Sequence, residues 1–268
     1  MSLAWLEELD LNQFFLFSLV LTRTSGLMLL APVYGSVQVP VRIRAFVAVA
    51  LALLITPIQI NTPIEFPENV IDYAIYAGSE LVVGLTLGVG LLILFGGIQL
   101  AGQLISMVSG ISLANVFNPS FGGTMPVMSQ FLYLVMLAVF TTIGGHRLVM
   151  EGLLDTFASV PPGGVTQLAG IPETINVLVA ESYVLALRAA APILTAVLMA
   201  ILITGLISRT MPQLNILAVG FGLNSMISMS TIFASLGGIS WLFQAKLEMY
   251  LEHLIEAIHN LGSIPGPI

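Results

Sequence analysis

Residues 96–126, GGIQLAGQLISMVSGISLANVFNPSFGGTMP, lie between two long apolar segments and contain no charged residue. Connections between membrane segments ordinarily carry charge and polar length, so this stretch restricts the possible folds more than any other. Its first part places Gly102, Ser106 and Gly110 at four-residue spacing, a small-residue face suited to close helix packing. Its second part cannot be regular helix. Pro119 and Pro126 break the hydrogen-bond ladder, and the pair Gly122-Gly123 permits backbone angles that other residues avoid. Lipid does not tolerate free backbone N–H and C=O groups, so an uncharged irregular segment here must be buried in protein or line a cavity. Two readings fit these residues alone: a plug or constriction in a conduit, and a re-entrant structural loop.

The surroundings decide the solvent. Of the 268 residues, 57% are hydrophobic and 8% charged, with a mean hydropathy of +1.02. A soluble domain of this size cannot hide so much apolar surface, so lipid or other apolar subunits must cover it. The net charge of −7 excludes a basic nucleic-acid face. The chain has no cysteine, which excludes disulfides and thiolate metal sites. The first residues, MSLAWLEELDLNQ, are acidic and lack a small-residue cleavage site, so no cleaved signal peptide is expected.

In chain order, residues 11–34 form an apolar segment long enough to span a bilayer, interrupted by Arg23. Pro40, Arg42 and Arg44 lead into a shorter apolar run over 45–60, and the Pro- and acid-rich loop 61–72 should be solvated. From Tyr73 the chain is apolar past Phe95, with Glu80 embedded and Gly84 and Gly88 offering a close-packing face. Residues 127–143 form a further segment. His146 is expected in a loop that opens a short amphipathic helix over 146–160, with Leu148, Leu153, Leu154 and Phe157 on one side. The Pro/Gly-rich loop 161–172 is the candidate boundary between two halves. Residues 175–208 and 214–243 then form a hairpin about a tight turn at 209–213. A separate amphipathic helix over 246–261 closes the chain, with Leu247, Leu251, Leu254, Ile258 and Leu261 as its apolar seam and Glu248, Glu252 and Glu256 on another face. If segments alternate, Arg42, Arg44 and Arg209 share one side and the acidic termini and 61–72 loop the other. The positive-inside rule then puts both termini outside, with Arg147 the exception.

No catalytic signature is present: no zinc-protease H-E-x-x-H, no G-x-S-x-G elbow, no phosphate-binding loop and no dinucleotide fingerprint. The histidines His146, His253 and His259 do not form a metal pair, so no metal and no cofactor is expected. Arg23, Glu80, Glu181 and Arg188 are embedded charges, each costing at least about 2.5–3.5 kcal/mol near a bilayer centre. Each must face protein, water or a partner, and pairing between subunits is favoured over a proton relay. The twelve methionines, among them Met125, Met211, Met226 and Met229, suit adaptable apolar packing.

The order of these features resembles one family. LTRTSGLMLLAPVYGSVQVPVRIRAFVAVALAL is similar to the first hairpin of the FliR family of flagellar export-gate proteins, also the T component of injectisomes. The central stretch, with Asn118-Pro119 and Met125-Pro126, is similar to that family's central region; GGHRLVMEGLLDTF and RTMPQLNILAVGFGL resemble its later segments. The resemblance spans essentially the whole chain and rests on order and spacing rather than on any single motif.

It implies an all-α, membrane-associated helical-hairpin protein, with residues 1–172 similar to a P subunit and 173–268 to a Q-type helical hairpin. It implies a plug formed by Ser112, Leu113, Asn115, Val116, Phe117, Asn118, Pro119, Phe121, Met125 and Pro126, with Gly110, Gly122 and Gly123 as hinges. The turn Arg209, Met211, Pro212 and Gln213 would lie at the cytoplasmic mouth. Phenylalanine is sparse in this plug, where Ile111, Leu113 and Val116 supply other bulk. The implied partners are the export-gate P and Q subunits, the B-type switch subunit, unfolded exported flagellar proteins and lipid. The implied location is the bacterial cytoplasmic membrane, within the flagellar basal body. A non-enzymatic export conduit is therefore the expected function. Its rivals are a small-solute secondary transporter, which would need paired broken helices, and an intramembrane enzyme, for which the catalytic residues are missing.

Overall fold

The computed structural model describes residues 4–32, 35, 39–60, 67, 69–111, 126–165, 170–211 and 216–262. These form seven α-helices: α1 (Ala4–Leu30), α2 (Val41–Ile55), α3 (Val70–Ser109), α4 (Val127–Thr142), α5 (Gly145–Ser159), α6 (Ile171–Thr210) and α7 (Ile216–Gly262). A short 3-10 turn, Thr56–Gln59, extends α2, and no strand occurs among the described residues. The protein is all-α. Five helices are long and apolar enough to cross a membrane, and α4 with α5 would make a sixth as a broken span.

Helix boundaries follow local chemistry. Pro40 precedes α2 and Pro126 precedes α4, each extended at φ −55 and −57 and so set to open a helix. The basic pair Arg42 and Arg44 therefore lies inside α2, where Arg44 Nε donates to the Val39 carbonyl at 3.0 Å. Asn69 caps α3, accepting from the backbone N–H of Ile71 and Asp72 at 3.1 and 3.0 Å. Gly144, at φ +76, separates α4 from α5 in a conformation that glycine adopts without strain. His146 consequently sits in the first turn of α5 rather than in a loop, and it is exposed.

The chain forms two compact units. One comprises Met1–Ile93, Gly144–Leu178 and Glu248–Ile268; the other comprises Leu94–Ile143 and Val179–Leu247. The helices α3, α6 and α7 each contribute to both.

In the first unit α1 meets α3 at backbone distance. A methyl group on Gly84 would overlap the carbonyl oxygen of Arg23, and one on Gly26 would come within 2.8 Å of the Leu81 carbonyl oxygen. The small-residue face read from Gly84 and Gly88 is thus the seat of α1. The α5 face differs in detail from expectation. Val149, Leu153, Thr156 and Phe157 are buried at helical spacing, while Leu154 is 43% exposed because it lies about 100° around the helix from Leu153. The C-terminal part of α7 lays Leu254 over Gly90, and Tyr250 donates its phenolic hydrogen to the Leu178 carbonyl at 2.6 Å.

The second unit is centred on Phe95, whose ring meets Tyr133, Phe140 and Phe243 edge-on at 5.6, 5.7 and 5.2 Å. Such pairs contribute roughly 0.5–1.5 kcal/mol each beyond the burial of their area.

Residues 214–243 and 246–261, expected as two helices, form one 47-residue helix, since Gln244-Ala245 between them holds no breaker. The seam Leu247, Leu251, Leu254, Ile258 and Leu261 is fully buried, and Glu248, Glu252 and Glu256 are exposed.

The α1–α3 contact gives the first prediction. Gly84→Val should destabilise the detergent-extracted protein by roughly 1–3 kcal/mol through overpacking. Gly78→Ala on the same helix, where an added methyl meets nothing within 4 Å, should be neutral or slightly stabilising. Equal thermal midpoints for the two variants would contradict the packing described.

Candidate functional site

The uncharged central stretch begins as the last turns of α3. There Gly102 faces the backbone of Ser129 on α4, where any Cβ would overlap the Ser129 Cα. Ser129 Oγ donates to the Gln99 carbonyl at 2.8 Å, and Ser106, Ser109 and Ser129 are all buried. α3 stops at Gly110, whose φ of +78 is the left-handed conformation typical of a helix C-terminus. The ring of Phe221 covers it at 2.7 Å from where a Cβ would stand. Pro126 then opens α4. The two ends of the stretch are therefore built on tightly packed helices. The remaining expected plug and hinge positions, Ser112, Leu113, Asn115, Val116, Phe117, Asn118, Pro119, Phe121, Gly122, Gly123 and Met125, lie outside the described residues. So do Pro212 and Gln213 of the expected mouth turn; Arg209 lies in the last turn of α6 and Met211 follows the helix, both exposed.

The embedded charges are the most constrained polar groups among the described residues. Arg23 and Glu80 are both fully buried. The guanidinium engages the carboxylate side-on, Nε to Oε2 at 2.5 Å and Nη2 to Oε1 at 3.0 Å. Arg23 Nη1 donates to the carbonyls of Thr156 and Val160 at the C-terminus of α5, at 2.9 and 3.0 Å; the Thr156 carbonyl also accepts the Val160 N–H. The Phe157 ring lies 4.2 Å from the guanidinium carbon. Glu80 Oε1 also accepts from the Gly163 N–H at 2.8 Å. One ion pair therefore joins α1, α3, the end of α5 and the turn after it, and four of the five arginine N–H groups have acceptors.

Glu181 of α6 accepts from Lys246 of α7 at 2.6 Å, partly buried. Three of the four embedded charges thus pair within the chain, not between subunits as expected. Partners on α1 and α3, and on the consecutive helices α6 and α7, are brought into reach by packing that sequence spacing does not reveal. Arg188 is different: it is exposed and has no ion pair among the described residues. The sequence reading missed Lys246 as a partner, although it is the only lysine in the chain and closes the apolar run 214–243. The α5 carbonyls could not have been found from residue types at all.

His253 Nδ1 is 2.8 Å from the Met249 carbonyl, a bond within its own helix, and no group of three metal-binding side chains occurs among the described residues. What fold and site define is a helical membrane protein in which three of the four embedded charges pair within the chain and join helices.

Comparison with known proteins places it further. Residues 14–250 match the family described as bacterial export proteins, family 1. Flagellar biosynthetic protein FliR of Aquifex aeolicus is 30% identical over 83% of this chain and 86% of its own length. FliR of Bacillus subtilis is 27% identical over 93% and 95%, and FliR of Escherichia coli 27% over 90% and 88%. The chain belongs to the FliR family of flagellar biosynthetic proteins.

The buried pair yields a prediction. Glu80→Ala or Arg23→Ala should each cost about 3–5 kcal/mol, because a buried charge loses its partner. Arg23→Lys should fail to restore stability, since an ammonium cannot reproduce the fork that reaches Glu80 and two carbonyls together. Thermal melting in detergent measures both; a native midpoint for Arg23→Lys would show that charge alone suffices.

Proposed function

We propose that this chain is a non-enzymatic structural component of the flagellar export gate, helping to form the conduit through which unfolded flagellar proteins cross the bacterial cytoplasmic membrane. Membership of the FliR family makes it a component of the flagellar export apparatus; the conduit and its plug are the finer reading.

The observation that carries the assembled form is uncovered apolar length. α6 has 40 residues, about 60 Å of helix against a hydrocarbon core of about 30 Å. Exposed apolar side chains run along it from Val177 through Leu187, Leu202 and Leu206 to Ile207. Only 22% of its most apolar window is buried within the chain, against 61% for α3. A single bilayer crossing cannot cover that surface, so other subunits must. The P and Q subunits of the gate are the partners this reading assigns, with residues 1–172 serving as the P-like part and 173–268 as the Q-like hairpin. That division concerns likeness to other subunits, whereas the compact units follow contacts within the chain.

Residues 112–125 act in this reading as the plug. The segment has no charge to attract ions, and it is anchored on both sides by packed helices at Gly110 and Pro126. Closure would come from dewetting and steric block. The driving work comes from elsewhere, since the sequence has no nucleotide-binding loop.

Two experiments test it. Coexpression with P- and Q-type subunits should shift the native mass of the extracted protein to a large complex; a monodisperse chain that ignores them would favour a self-sufficient transporter. Within such a complex, deletion of residues 112–123 should raise membrane ion conductance while assembly persists. Unchanged conductance would remove the plug from the proposal.

A further inference from the structure

Among the embedded charges Arg188 stands alone. Glu181, two turns earlier on α6, is engaged with Lys246, so it does not neutralise Arg188. Arg188 borders a groove of about 470 Å³ between α6 and α7, lined on one side by Ala189 and Pro192 and on the other by Ala234, Gly238 and Trp241. Three features of this groove point the same way. First, an exposed guanidinium on an apolar helix needs an anion, because an uncompensated cation in a low-dielectric setting is costly. Second, Pro192 has no N–H, so the carbonyl of Arg188 four residues earlier lacks its normal helical donor and is left as an acceptor at the same place. Third, Gly238 lies in the interior of a long helix, where glycine is disfavoured relative to alanine, yet among the described residues nothing beyond its own helix backbone comes within 4 Å of a Cβ built on it. With Ala234 four residues before it, Gly238 leaves a low wall that admits close approach by another backbone. Trp241, 71% exposed, stands at the edge.

We propose that this groove seats an apolar helix of a neighbouring gate subunit, and that a carboxylate on that helix pairs with Arg188. The inference rests on the export-gate reading and adds to it the chemistry of one contact. A helix fits better than a lipid headgroup. The small residues of the floor suit backbone approach, and the exposed apolar side chains of α6 extend beyond what one bilayer covers.

The test uses the full chain coexpressed with P- and Q-type subunits. Arg188→Lys should assemble within a few-fold of native yield, whereas Arg188→Glu should lower the recovered complex at least about tenfold through like-charge repulsion. Because Arg188 is exposed, the Arg188→Glu chain alone should keep its native helicity and melting temperature. The absence of cysteine permits an independent readout. A single Gly238→Cys should form bismaleimide cross-links to a partner subunit carrying single cysteines along one apolar helix, with an Asp or Glu within a turn of the linked position. Native assembly and motility of Arg188→Glu would overturn the proposal. So would an assembled Arg188→Gln complex that has lost only bound anionic phospholipid in native mass spectrometry, which would reassign the groove to lipid. If the unaltered chain fails to assemble with those subunits, the export-gate reading itself fails, an outcome distinct from either.

Discussion

The buried pair of Arg23 and Glu80 is the interaction on which the first compact unit depends. Two charges fully removed from water are tolerated only when every strong donor and acceptor is met. Here the carboxylate takes two guanidinium N–H groups and one backbone N–H, and the guanidinium spends its remaining reach on two helix-terminal carbonyls. The geometry requires α1 and α3 to lie at backbone distance, which the glycines at 26 and 84 permit. It also brings in the end of α5, whose Thr156 and Val160 carbonyls accept from Arg23. Small residues, a charge pair and a helix terminus thus meet at one place in this unit.

The second unit is held by different means. Its centre is aromatic, with Phe95 of α3 touching rings on α4 and α7, and its close contacts are made through Gly97 against Ser182 and Gly102 against Ser129. Its outer faces on α6 and α7 remain apolar and open. Within the chain α3 is largely buried, whereas α6 is largely uncovered. That asymmetry is the physical link between this fold and membership of a multi-subunit apparatus. It also explains why hydropathy alone miscounts such chains: residues facing lipid and residues facing a neighbouring subunit carry the same side chains.

Much of the fold was legible beforehand because its signals are local. Apolar length marks α1, α3 and α6; Pro40 and Pro126 mark helix starts; the spacing of Gly84 and Gly88 marks a packing face; and the Leu247–Leu261 seam marks a buried stripe. Errors arose where a local signal was ambiguous. The single helix α7 was read as an apolar segment to 243 and an amphipathic one from 246, although the helix continues through both and Lys246 turns to Glu181. Leu154 was assigned to the buried face of α5 by type, while helical geometry turns it outward and seats Thr156 inward. The plug residues from Ser112 to Met125 remain a reading of sequence and resemblance.

The sequence by itself determined that this is a helical membrane protein, and that its four embedded charges needed partners. It did so because apolar length, the absence of charge and the positions of proline and glycine act through the backbone, one segment at a time. Only the tertiary structure decided which charges meet. Arg23 and Glu80 are 57 residues apart and Glu181 and Lys246 are 65, and no periodicity connects positions at such separations. Their proximity is a product of how small residues let particular helices approach. By the same packing, Arg188 was left facing outward, with its charge still to be met.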